Sequence, residues 1–61
     1  MKTPKIQAED VVQVATSIKQ TLTEKEIQEA LTRYPSEQRD DPGATWNLVV
    51  EKIVYDLIDE R

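Results

Sequence analysis

Neither cysteine nor histidine occurs anywhere in this 61-residue chain, and that double absence narrows how it can hold a fold. A domain of this length buries only about 60% of the surface its unfolded form exposes. Domains so small usually add disulfides, a structural metal, self-association or very regular helix packing. Disulfides and the usual zinc sites built from cysteine and histidine are excluded here. Regular packing is left, with self-association as its complement.

The apolar pattern supplies that regularity. Ala8, Val11, Val14, Ala15, Ile18 and Leu22 recur at spacings of three and four, as on one face of a helix. Glu9, Asp10, Gln13, Thr16, Ser17, Lys19 and Gln20 cover the other face. Thr3-Pro4 suits an N-cap and first helical position, which places helix 1 at about residues 4–21. Ile6 points off the stripe and argues for a later start, nearer Gln7.

Thr23-Glu24-Lys25-Glu26 has the form of a capping box, with Leu22 and Ile27 as the two halves of a hydrophobic staple. Helix 2 is therefore expected to begin at Glu24, almost directly after helix 1. Its stripe is Ile27, Ala30, Leu31 and Tyr34, and Lys25–Glu29 and Glu29–Arg33 are i,i+4 charge pairs. Pro35 is expected to end it near residue 34, because the residue before a proline is pushed out of the α region. Residues 35–40 then form the one loop, with a helical turn over part of it as the alternative. Asp41-Pro42 reads as the cap and first residue of helix 3; the competing reading is a β-turn over Asp41-Pro42-Gly43-Ala44. Trp46, Val49, Val50, Ile53 and Leu57 share the helix 3 stripe, with Val54 on its flank. The run is rich in β-branched residues, but Lys52, Asp56, Asn47 and Glu51 break any strict alternation, so helix is favoured over strand. The expected fold is all-α: one three-helix bundle over residues 1–61, with helices at about 4–21, 24–34 and 42–59. Trp46 heads its stripe and is expected in the core, the alternative being an exposed anchor for a partner. Tyr34 is expected to close the helix 2 stripe rather than to act with Pro35 as a recognition motif.

Net charge is −4, unevenly spread: residues 1–23 balance at +1 and residues 24–61 at −5. That balance disfavours nucleic acid and anionic membranes as partners. No apolar run of signal-peptide length follows Met1-Lys2-Thr3-Pro4-Lys5, and no stretch approaches 18 apolar residues. A cytoplasmic protein is the expectation.

Little in the chain suggests chemistry. Without histidine or cysteine, a nucleophile's base could come only from a pair such as Ser17 with Lys19, neighbours on a solvated face. Asp40-Asp41 and the group Asp56, Asp59 and Glu60 lack the ligand spacing of a calcium loop. The terminal acids lie at the unfavourable end of the helix dipole, which predicts fraying there. No catalytic residue, metal site or cofactor is expected. A DNA-reading helix needs basic or amide side chains. Helix 2 exposes Glu24, Glu26 and Glu29 beside Lys25 and Arg33, and helix 3 exposes Glu51 and Asp56 beside Asn47 and Lys52. Neither forms a basic stripe.

The stretch YPSEQRDDPGATWNLVVEKIVYDLI, Tyr34 to Ile58, resembles small bacterial proteins of unknown function, some carried on mobile elements. The resemblance covers less than half of the chain and implies a bacterial cytoplasmic accessory protein. It assigns no residue a role.

One feature of helix 3 is left over once its core stripe is drawn. Leu48 and Tyr55 are about 20° apart on the helical wheel, at about 180–200° from Trp46, and Ile58 lies between them and the core. Either residues 35–41 or Ile6 fold over this pair, or Leu48, Tyr55 and Ile58 form a surface for a protein partner or a weak homodimer. The functional expectation is a non-enzymatic protein–protein interaction module that self-associates through helix 3. The alternative is a small accessory regulator associated with nucleic acid, which would need Lys2, Lys5, Lys19, Arg33 and Arg39 to converge.

Overall fold

The computed structural model describes residues 6–61, which form three helices: α1, Ala8–Ser17; α2, Glu24–Asp40; and α3, Trp46–Asp59. All three pack on one another as a small three-helix bundle with no strand among the described residues. The core is aliphatic except for one tyrosine. It comprises Val11, Val14 and Ala15 of α1, Ala30 and Tyr34 of α2, and Val49, Val50, Ile53, Val54 and Leu57 of α3. Ile6, Ile18, Leu22, Ile27, Leu31, Ala44 and Ile58 close its edges. No buried side-chain polar atom among the described residues lacks a hydrogen-bond partner, so the core carries no uncompensated desolvation.

Helix α1 is shorter than its apolar stripe. Gln7 is its N-cap, and the Gln7 backbone N–H donates to Asp10 Oδ2 at 2.9 Å. The Thr3-Pro4 start lies outside the described residues. At the other end the helix stops at Ser17 rather than near Thr21. Lys19 adopts φ 59°, the left-handed region. The Gln20 N–H then bonds the Ala15 carbonyl at 2.8 Å, and the Lys19 N–H bonds that of Thr16 at 3.0 Å. These two bonds make a Schellman motif with lysine where glycine is usual. The chain turns there, and Ile18 and Leu22 still reach the core edge from outside the helix. Ile6, expected off the stripe, also packs on the core.

The capping box begins α2 where expected. Thr23 Oγ1 accepts from the Glu26 N–H at 3.2 Å, and Glu26 Oε1 accepts from the Thr23 N–H at 2.9 Å. Pro35, however, does not end the helix, which continues to Asp40. Proline removes one N–H and crowds the preceding turn, but side chains on both sides of it hold the helical course. Tyr34 is buried and donates its hydroxyl hydrogen to Gln38 Oε1 at 2.9 Å. Gln38 Nε2 donates onward to the Ala44 carbonyl at 3.3 Å, and Glu37 pairs with Lys52 of α3. The segment expected as a loop is thus the last turns of α2. Asp41 is its C-cap rather than the N-cap of α3. The β-turn reading of Asp41–Ala44 holds, closed by the Ala44 N–H on the Asp41 carbonyl at 3.1 Å, and Thr45 is the N-cap of α3.

Helices α2 and α3 run antiparallel, as successive ion pairs require: Glu37 with Lys52, Arg33 with Glu60, and Glu26 with Arg61. Such a hairpin suits the short connection between them. Trp46, expected in the core, is instead 40% exposed and outside the buried cluster. It is the first residue of α3, and helical side chains lean toward the N-terminus. The indole therefore leans off the end of the stripe that the wheel assigned to it.

Candidate partner-binding face

The side of α3 turned away from the core carries the residues singled out by periodicity. Leu48 is 54% exposed and Tyr55 50%, while Ile58 is half-buried against the core edge. Covering by residues 35–41 or by Ile6, one of the two alternatives, leaves Leu48 and Tyr55 half exposed: residues 35–40 belong to α2, and Ile6 packs on the core. Leu48 and Tyr55 are thus brought together on one exposed face, with Ile58 as its bridge to the interior. Beside Leu48 lies a groove of about 440 Å³, lined also by Ala44, Val49, Glu37, Asp40, Asp41 and Lys52. Val12 of α1, 45% exposed, was not signalled by the helical stripes; it lies beside Leu22 and Ile27 in a smaller cleft.

The flank of α3 next to α2 is organised by charge. Arg33 makes a fork to both carboxylate oxygens of Glu60, each at 2.7 Å, and also holds Glu29 at 2.9 Å. Arg61 does the same to Glu26, at 2.8 Å to each oxygen, and donates to the Thr21 carbonyl at 2.7 Å. Lys52 bridges Glu37 and Asp56. Of the terminal acids expected to fray the helix, Glu60 is paired by Arg33 and Asp56 by Lys52, while Asp59 has no ion pair among the described residues. The dipole penalty is offset by fixed cations. Of the two expected i,i+4 pairs on α2, Glu29–Arg33 forms, and Lys25 has no ion pair among the described residues.

These pairs set the electrostatics. The Arg61 guanidinium, with help from the Thr23 N–H, holds the Glu26 carboxyl at about 2. Arg33 holds Glu60 below the usual carboxylate range. Lys52 is pushed up by Asp56 and Glu37, and burial pushes the Tyr34 phenol up. Ser17 donates its hydroxyl hydrogen to the Val14 carbonyl at 2.7 Å, a backbone bond that does not activate it. No three carboxylates converge as a metal site among the described residues, and no described helix is long and apolar enough to cross a membrane. Arg33, needed for a basic patch, is committed to two carboxylates, and Lys2 and Lys5 lie outside the described residues. The chain matches no family model, and no curated protein or solved structure is similar to it.

Proposed function

We propose that this chain is a non-enzymatic protein–protein interaction module, acting in the cytoplasm, whose contact face is the outer side of α3. The observation that carries the reading is the exposure of Leu48 and Tyr55 on a helix whose inner stripe, Val49, Val50, Ile53, Val54 and Leu57, already supplies the core. A helix in a solitary bundle ordinarily presents charge to water at such positions. Tyrosine combines a large apolar surface with a polar tip and is enriched at the centres of protein interfaces. Glu51, Lys52 and Asp59 border the pair and form a charged rim of the kind interfaces carry.

The test is site-specific photocrosslinking in the source cell, with the photoreactive residue at position 55 and, as a control, at exposed Gln13 of α1. A discrete protein adduct from position 55, absent from position 13, is the expected result. No adduct from position 55, or the same smear from both, overturns the reading.

A further inference from the structure

We propose that Glu60 and Arg61, which follow α3, form a strap across the joint between α1 and α2 and keep that joint from opening apart from the rest of the bundle. The inference does not depend on the contact face of α3. The joint, residues 18–23, has few bonds of its own. The N–H groups of Ile18, Lys19 and Gln20 all bond back to carbonyls of α1. Among the described residues, the one hydrogen bond that reaches residues 18–22 from beyond α1 comes from Arg61. Its Nη2 donates to the Thr21 carbonyl at 2.7 Å, across 40 residues of chain. Thr21 and Leu22 are also one wall of the cleft beside Val12 and Ile27, about 90 Å³, so the strap that holds them keeps that cleft closed.

The strap is fastened twice. Arg61 forks onto Glu26 at 2.8 Å to each oxygen, and Arg33 forks onto Glu60 at 2.7 Å to each. Glu26 and Arg33 are seven residues apart on α2, close to two helical turns, so both forks lie along one face of that helix beside Leu57. A fork fixes orientation as well as charge. Glu26 is shared, because the same carboxylate accepts the Thr23 N–H of the capping box. One side chain thereby ties together the joint, the first turn of α2 and the end of α3. The helix dipoles favour the closed strap: Glu26 lies at the positive end of α2 and Arg61 just past the negative end of α3. The Glu26 side chain is only 17% exposed, so salt weakens this pair less than one open to water.

Native-state hydrogen exchange read by NMR tests the strap. The Lys19 and Gln20 amides report on the joint, and the Ile53 amide, in the core of α3, reports on the whole fold. Arg61→Gln should speed exchange at both joint amides by about fivefold, the shift expected when a well-formed surface pair is lost. Arg61→Lys, which keeps the charge but cannot fork, should fall between Arg61→Gln and wild type. Lys52→Gln breaks the pairs to Glu37 and Asp56 instead and should speed exchange at Ile53 without touching the joint. The strap acts through Glu26, so in a Glu26→Gln background Arg61→Gln should change the joint amides by less than about twofold. Joint amides unchanged by Arg61→Gln, whatever happens at Ile53, mean that the joint opens with the strap in place and overturn the proposal. So does a joint that speeds up as much in Lys52→Gln, since it then opens only with the whole fold. A full effect of Arg61→Gln in the absence of the Glu26 carboxylate overturns it too.

Discussion

Replacing Lys19 by glycine should stabilise the protein, and the sign of the effect decides where α1 ends. Lys19 has φ 59° and supports two backbone bonds that close the end of the helix. A residue with a Cβ in that conformation costs about 1–2 kcal/mol. Glycine removes the penalty but adds unfolded-chain entropy of about 0.4–1 kcal/mol, leaving a net gain of about 0.5–1 kcal/mol. For a domain this small each kcal/mol moves the melting temperature by about 4–8 °C, so the expected rise is about 2–8 °C. Lys19→Ala is the reference, because alanine loses the same ammonium near the helix end yet keeps the Cβ. Lys19 has no ion pair among the described residues, so no salt bridge is lost in either variant. Thermal unfolding by circular dichroism measures the difference. If α1 instead ran on to Thr21, glycine would sit inside a helix and cost about 1 kcal/mol relative to alanine. A melting point for Lys19→Gly below that of Lys19→Ala would therefore refute the left-handed turn.

Thr23→Ala removes the oxygen that caps α2 and should destabilise by about 0.5–2 kcal/mol, read as a lower midpoint in urea unfolding. Pro35→Ala should stabilise by about 1–3 kcal/mol: Pro35 is exposed, so no core contact is lost, and alanine supplies the N–H that the Leu31 carbonyl lacks; a fall in melting temperature would count against a helix continuing through residue 35. Stability should decline as pH falls from about 4.5 to about 2. The Glu26 carboxyl, lowered from 4.5 to about 2 in the fold, contributes above its unfolded value and loses that contribution through this window; Glu60, which Arg33 also lowers, contributes with the same sign. Glu26→Gln should flatten part of the decline, and an acid titration identical to wild type would exclude Glu26 as its source.

What could be read from the sequence was whatever a local rule decides. The capping box at Thr23 and Glu26 uses atoms only three residues apart, and it forms as its pattern predicts. The stripes gave most of the core because helical period and burial coincide over whole turns. The misreadings share a physical cause, in that tertiary contacts overrode a local preference. Pro35 breaks helices on average, yet Tyr34, Glu37 and Gln38 are held by burial, by Lys52 and by the Ala44 carbonyl. Lys19 carries no mark of a left-handed residue, and its conformation follows from where Ile18 and Leu22 must go. Trp46 has the right angle on the wheel but the wrong height along the helix, which a wheel does not show. The forks from Arg33 to Glu60 and from Arg61 to Glu26 span 27 and 35 residues, beyond any local pattern.

The same distinction separates the outer face of α3 from the rest of the molecule. Two sides of that helix have occupants that explain their residues. The inner side meets α1 and α2 through valine, isoleucine and leucine, and the α2 flank meets cations and carboxylates in alternation. Leu48 and Tyr55 have no such partner among the described residues. They lie outside the buried cluster that forms the core. A free monomer would be at least as soluble with charge at both positions. Their exposure is the ground for the proposed contact outside the monomer, a contact that would take both residues out of water.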